Sequence, residues 1–314
     1  MTRGTVTAFR KMELSHEILI PLFLTMKRAE GAANGTISIY EYHIKQFFRE
    51  YPDAFSGTER LKECVYGFLG GETLHPVVYN MRRRFVGAFI EWMRGEGYVP
   101  ENPCSRFKFR KEPGRIVEVK PEVLQHLLAA PRKDTFAGIR DYAMFVVMLD
   151  CGIRPQEIRK LMPGDIDLEK GFVSIRPEIA KTKEARTLPI STPSIAAVRK
   201  LLSVRLAEWK GATLFCMETG AAMSSNALVG IMRKYRNRIG ATNLPVYALR
   251  HSFCTAMMKN GANMDTIRQM MGHTDFKILR TYMHLTSDDV KSEHETHSPL
   301  LTLLPQSTKK LRAI

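Results

Sequence analysis

Cysteine is scarce in this 314-residue chain and poorly placed for structural chemistry: Cys64, Cys104, Cys151, Cys216 and Cys254 are odd in number, scattered and never spaced C-x-x-C. Neither a disulfide framework nor a zinc ribbon is indicated, and a reducing cytoplasm fits best. Long hydrophobic runs are also missing. Residues 18–24 and 143–149 are too short to span a bilayer, and Glu13, His16 and Glu17 flank the first in place of a signal-peptide pattern, so no export or membrane insertion is expected. His294, Glu295 and His297 crowd the C-terminus without the H-E-x-x-H spacing that sets two ligands on one helical face; they read as a solvated tail, and no metal is expected. A G-x-x-x-x-G-K-[ST] loop is absent too. Acidic residues are in deficit, 32 against 47 Lys and Arg, and the resulting +15 favours a polyanionic partner. Charge alone does not separate nucleic acid from a membrane surface.

What is present is globular. With 44% hydrophobic and 25% charged residues the chain can build two separate cores. Val78, Met81, Phe85, Phe89 and Trp92 recur at helical spacing, as do Ile37, Tyr40, Ile44, Phe47 and Phe48. A small helical bundle over residues 13–105 follows, behind an extension of residues 1–12, with Arg82, Arg83 and Arg84 leaving the apolar stripe of their helix. Residues 106–120 then read as a basic linker crossing a phosphate backbone, with Arg106, Lys108, Arg110, Lys111 and Arg115 interleaved with aromatics.

The second domain, residues 121–290, opens at Pro121 and contains a nearly all-apolar helix from Ile139 to Leu149 that must be buried. Gly152 is placed to end that helix and Pro155 to start the next, which sets Arg154 at a helix N-terminus, where amides favour an anion. Residues 172–176 and 186–190 read as two strands of a hairpin with a basic tip carrying Lys181 and Lys183. Helices are expected again over residues 193–209, 226–239, 249–259 and 264–271, the last ended by Gly272, so that His273 lies just past a helix end. Met257, Met258, Met270 and Met271 read as core filling. Residues 291–314 look like a tail. The expected fold is mainly α with a small β-hairpin: a helical bundle followed by an α+β domain.

Four polar boxes lie in order: CGIRPQEIRKL with Arg154, AKTKEARTLPI with Lys181, VYALRHSF with Arg250, and MGHTDFKILRTYMHL with His273 and, nine residues on, Tyr282. Tyrosine is a poor nucleophile unless cations surround it. Two arginine forks can grip the non-bridging oxygens of a phosphodiester and ease formation of the Tyr282 phenolate. A lysine ammonium can protonate the leaving oxygen, with Lys183 the close competitor of Lys181, and a histidine can hydrogen-bond the phosphate or steer the tyrosine. The boxes therefore suggest one phosphate-handling site assembled from distant segments, with no metal in the scheme.

These boxes resemble those of the tyrosine recombinase and phage integrase family over about residues 13–290. The resemblance implies that Arg154 and Arg250 activate the phosphate, Lys181 is the catalytic lysine, His273 the histidine and Tyr282 the nucleophile, with Glu157 and His251 supporting. Tyr247 stands where most members carry the first histidine of H-x-L-R-H; it can donate and accept a hydrogen bond, but with a pKa near 10 it is a poor proton shuttle at neutral pH. The family also implies a core-binding domain followed by a catalytic domain, clamped on duplex DNA. Its members work as homotetramers on two sites, through 3′-phosphotyrosine links and a Holliday junction, without ATP or other cofactor. Accessory DNA-bending proteins and a nucleoid-associated setting in a bacterial or archaeal cytoplasm accompany that expectation. The short extension before residue 13 favours a simple recombinase or transposon integrase. A DNA-binding protein of the same fold that has lost cleavage is the alternative, prompted by Tyr247, and a strand-relaxing or end-resolving enzyme of the same chemistry is a third reading.

Overall fold

A computed structural model of the chain describes residues 15–71, 74–112 and 119–272. His273, Tyr282 and Arg115 lie outside the described residues, as does the tail. The chain divides into two compact units, Met1–Gly114 and Arg115–Ile314. Among the described residues there are eleven α-helices and three short strands, the mainly α architecture with a small sheet that the sequence leads one to expect.

The first unit is a bundle of α1 (His16–Ala29), α2 (Asn34–Glu50), α3 (Thr58–Gly70) and α4 (Pro76–Gly95). Ser15 caps α1 by accepting from the Glu17 amide, and Lys27 and Arg28 sit in its last turn, where the helix dipole favours them. Aromatic rings dominate the core. Phe23, Phe47, Phe68 and Phe89 are fully buried, with Phe23 meeting Phe89 and Phe47 meeting Phe68 edge to face at 5.3 Å. One expectation fails on α4: Val78 is 40% exposed. The first turn of the helix instead buries Tyr79 and Asn80. The Tyr79 hydroxyl donates to the Lys108 carbonyl, and Asn80 both donates to the Arg110 carbonyl and accepts from the Arg110 amide.

The second unit is built around α6 (Phe136–Cys151), which packs against α8 (Thr192–Ser203) and α10 (Tyr247–Lys259). Thr135 caps its start by accepting from the Gly138 amide, and Gly152, at φ 62°, ends it in the left-handed region. The helix is buried nearly all round, including Arg140 and Asp141. That pair is neutralised internally: the Arg140 guanidinium forks onto Asp141 and reaches the Cys216 carbonyl, while the Tyr235 hydroxyl of α9 (Ser225–Arg238) donates to the second Asp141 oxygen at 2.9 Å. A charged pair satisfied in this way ties α6 to α9.

The sheet is antiparallel in the order β1 (Ile166–Asp167), β2 (Phe172–Ile175), β3 (Arg186–Pro189), with Ile175 opposite Arg186 at the mouth of the hairpin loop. Two-residue β1 has no counterpart in the sequence pattern, being too short for alternation to register. The helix expected over residues 193–209 stops at Ser203. Arg205 turns back to donate to the carbonyls of Trp209, Ala212, Thr213 and Leu214, gathering the chain into a loop with a 3-10 turn at Ala207–Trp209. α5 (Pro121–Ala129), the single-turn α7 (Pro155–Ile158) and α11 (Met264–Met271) complete the unit.

Candidate active site

Five elements converge on one buried charged cluster. Gly152 turns the chain at the end of α6, and three residues later Pro155 opens α7, which leaves Arg154 as the residue before the helix with its backbone extended. Arg154 is 7% exposed. The anion-favouring helix start expected there is already occupied: the Glu157 carboxylate folds back and accepts from the Arg154 amide at 3.1 Å. Glu157, fully buried, also accepts from Arg154 Nη1 at 3.1 Å and from both terminal nitrogens of Arg186, the first residue of β3. Arg250, on the first turn of α10, is 3% exposed and donates through Nη1 to the Gly152 carbonyl at 2.6 Å.

The end of α11 closes the cluster. Its last carbonyls are each taken by a different arginine: Met270 O accepts from Arg186 Nε at 3.1 Å, Met271 O from Arg250 Nη2, and Gly272 O from Arg154 Nη2 at 2.7 Å. Gly272 adopts φ 58°, and a Cβ there would lie 3.2 Å from Arg154 Nη1 and 3.3 Å from Arg186 Cδ and Cζ. Glycine suits the left-handed turn, and a Cβ there would press on both arginine side chains. From this turn the chain passes directly into His273.

Among the described residues, three guanidinium groups gather around the single buried carboxylate of Glu157. Burial alone would raise the Glu157 carboxyl, but the Arg186 fork, and then Arg154, override it and hold the group below its ordinary value. Arg250 moves the other way: burial, then the Arg154 charge, push it down to about 10, with Glu157 offsetting in part. It stays charged at neutral pH, and the Arg154 charge beside it is one of the causes of its fall, the kind of crowding of like charge that favours an anion.

Around this cluster, Tyr247 is 45% exposed at the start of α10, one helical turn from His251, their rings 6.4 Å apart. Burial and the neighbouring Arg250 charge lower His251, which favours its neutral form. Lys181 and Lys183 lie exposed on the loop between β2 and β3, where Lys183 takes φ 57°. Among the described residues no group of three His, Cys, Asp or Glu side chains is placed to hold a metal ion.

The structure thus brings Arg154, Glu157 and Arg250 together, and sets Arg186 among them. Sequence reasoning placed Arg186 only at the start of the second hairpin strand, and nothing in its spacing marks it. In the first unit the arginines divide. Arg82 donates to the Phe68 carbonyl and lies over the Phe68 ring, and Arg83 donates to the Phe107 carbonyl and covers Phe109 at 4.0 Å, whereas Arg84 is exposed. Arg106, Lys108, Arg110 and Lys111 are exposed, with Arg106 paired to Glu101 and Arg110 over the Tyr79 ring at 3.9 Å.

A model of the phage integrase family matches residues 118–288, a span that includes all four boxes. The chain belongs to that family. Among curated family members, a tyrosine recombinase XerD of Ralstonia nicotianae is 27% identical over 279 residues, covering 86% of this chain and 90% of its own length. A tyrosine recombinase XerC of Roseiflexus castenholzii is 27% identical over 222 residues, covering 68% and 70%. Of solved structures, the Tn1549 transposon integrase in complex with a circular intermediate DNA shares the fold with a TM-score of 0.69 at 19% identity, over 89% of this chain and 99% of that one. The XerH site-specific recombinase bound to a palindromic difH substrate gives 0.64 at 18% identity, over 88% and 82%. No helix among the described residues is long and apolar enough to cross a membrane.

Proposed function

We propose that this chain is a tyrosine-type site-specific DNA recombinase that cuts and rejoins duplex DNA through a 3′-phosphotyrosine intermediate. The observation that carries the reading is the convergence of Arg154 and Arg250, from distant boxes, on adjacent carbonyls at the end of α11, beside the segment that runs on to Tyr282. Two guanidinium forks held this close, over a buried carboxylate that fixes one of them, form a receptor for the two non-bridging oxygens of one phosphodiester. The relatives are themselves named recombinases, and a DNA-binding protein without cleavage is not favoured.

In the forward step Tyr282 gives up its phenolic proton to solvent and attacks phosphorus as a phenolate; a bond forms between the tyrosine oxygen and phosphorus, and the bond to the 5′ oxygen breaks. Lys181 gives that oxygen its proton, so a 5′-hydroxyl leaves. Rejoining is the reverse, with a 5′-hydroxyl from the partner strand attacking and Tyr282 leaving. The phosphotyrosine conserves the bond energy, so no ATP is spent. His273 and Tyr247 supply hydrogen bonds to the phosphate and leaving group, and His251 supports Arg250. The helical bundle, as a core-binding domain over about residues 13–105, and the catalytic domain over residues 121–290 bind duplex DNA together. Arg84, Arg106, Lys108, Lys111 and Lys183 supply phosphate contacts from exposed positions, with Arg82, Arg83 and Arg110 shaping the surface that presents them. A homotetramer on two sites completes the exchange, with accessory DNA-bending proteins where the site needs them.

The test is a denaturing-gel assay for a covalent adduct with nicked duplexes drawn from DNA flanking the gene. A shifted band in the wild type that vanishes in Tyr282→Phe is expected; a band that persists in Tyr282→Phe would remove the nucleophile assignment.

A further inference from the structure

Arg186 has a place in the cluster that none of the assigned roles explains. Its side chain is 11% exposed, and each of its three nitrogens already has a protein acceptor: Nη1 and Nη2 fork onto the two oxygens of Glu157, and Nε donates to the Met270 carbonyl. A planar guanidinium is the one side chain that can serve a carboxylate fork and a carbonyl on its flank at once. The three acceptors belong to two elements, α7 and α11, that do not adjoin in sequence, and Arg186 itself begins β3, so one side chain joins three elements.

Consequences follow for the neighbours. Glu157 fixes Arg154 through both its backbone amide and Nη1, so whatever holds Glu157 in its rotamer also aims the Arg154 fork. The Met270 carbonyl is followed by the two carbonyls that Arg250 and Arg154 hold, and then by the chain leading to His273 and Tyr282. Arg154 and Arg250 also donate to protein groups, chiefly to backbone carbonyls, whereas both terminal nitrogens of Arg186 are held by the Glu157 carboxylate, which sets its task apart. We propose that Arg186 is a positioning residue of the recombination site, fixing the Glu157 carboxylate and the end of α11 so that Arg154 and Arg250 meet the phosphate in register. This rests on the recombinase reading given above.

Arg186→Gln and Arg186→Lys separate the idea from both a plain folding role and a failure of that reading. The first measurement is hydrogen exchange of residues 264–272 in the full-length protein without DNA, which does not depend on cleavage. Loss of the charged donors should speed exchange there by roughly tenfold in Arg186→Gln, with a partial effect in Arg186→Lys. Unchanged exchange in both would overturn the proposal whatever the enzyme does. The second measurement compares the single-turnover rate of adduct formation with DNA affinity on the same nicked duplex. The rate in Arg186→Gln should fall about 100-fold, the scale of a misplaced reacting group, while the dissociation constant changes less than about threefold; lysine should restore only part of the rate. Parallel losses of rate and affinity, or full recovery with lysine, would overturn the positioning role. If the wild type itself forms no adduct on any flanking duplex, the recombinase reading falls, and the exchange result alone still decides whether Arg186 clasps α11. Should Arg186→Gln not fold, Arg186→Lys carries both measurements, because it keeps a charge against Glu157 while losing the fork.

Discussion

Replacing Glu157 by glutamine perturbs the cluster without changing its shape. The wild-type carboxylate, 0% exposed, accepts from the Arg154 amide, Arg154 Nη1 and two Arg186 nitrogens. Glutamine keeps one acceptor oxygen and turns an NH2 group toward guanidinium donors, so that donors face donors and the buried charges of Arg154 and Arg186 lose their counter-ion. Breaking a buried pair in this manner costs about 3–5 kcal/mol. At about 2–4 °C per kcal/mol for a domain of this size, the unfolding midpoint of the second unit should fall by roughly 6–20 °C. Thermal unfolding followed by circular dichroism reads this directly.

The pH dependence has a definite sign. The folded Glu157 carboxyl titrates below its ordinary 4.5 because the Arg186 and Arg154 contacts override burial, so its stabilisation is fully present above the unfolded value and is lost as pH falls through the folded one. The gap in midpoint between wild type and Glu157→Gln should therefore be constant from about pH 8 to pH 5 and close only below the ordinary carboxyl range. A loss under about 1 kcal/mol, the size of an exposed ion pair, would show that water screens this cluster. A gap that survives unchanged in acid would show that shape rather than charge is responsible. Either result refutes the reasoning.

Gly272→Ala should destabilise by about 1–3 kcal/mol, since a left-handed turn must then hold a Cβ, and should slow adduct formation more than it weakens DNA binding, because that Cβ presses on Arg154 and Arg186. Inorganic phosphate should raise the wild-type melting midpoint and do so less in Arg250→Gln; equal gains in both would place the anion elsewhere. Lys181→Ala should slow cleavage far more than Lys183→Ala, and a 5′-thio leaving group should rescue it; equal losses, or no rescue, would remove the proton-donor assignment. DNA affinity should fall with salt with a log–log slope of roughly −0.9 per phosphate contact, so a flat response would argue against a basic DNA-binding surface.

Much of the site was legible because it obeys local rules. Gly152 ends α6 and Pro155 opens α7, as helix-end chemistry requires, and Gly272 closes α11 in the left-handed turn that its position suggests. Arg154, Glu157 and Arg250 could be chosen because they lie in boxes of recognisable composition. What stayed hidden depends on contacts between segments far apart in the chain. Asn80 and Tyr79 receive residues 108–110, so the basic stretch is partly held against α4 and Val78 is displaced from the buried face. Arg205 ends α8 early by gathering carbonyls from residues that follow it. Neither event leaves a periodic trace.

Arg186 shows the same limit inside the site itself. It opens a four-residue strand, and its partners Glu157 and Met270 lie on a single-turn helix before it and a helix end far after it. In sequence it is one more basic residue beside Lys181 and Lys183. Its position alone decides that its charge is spent within the protein, whereas theirs, on an exposed loop, remains available to a partner. The carbonyls of residues 270–272 complete that division: each accepts from a different one of the three buried guanidinium groups. On the proposed reading, a phosphodiester reaching Arg154 and Arg250 would exchange neutral acceptors for a charged one at donors already in place. Arg186, still locked to Glu157, is then what keeps those donors where the phosphate finds them.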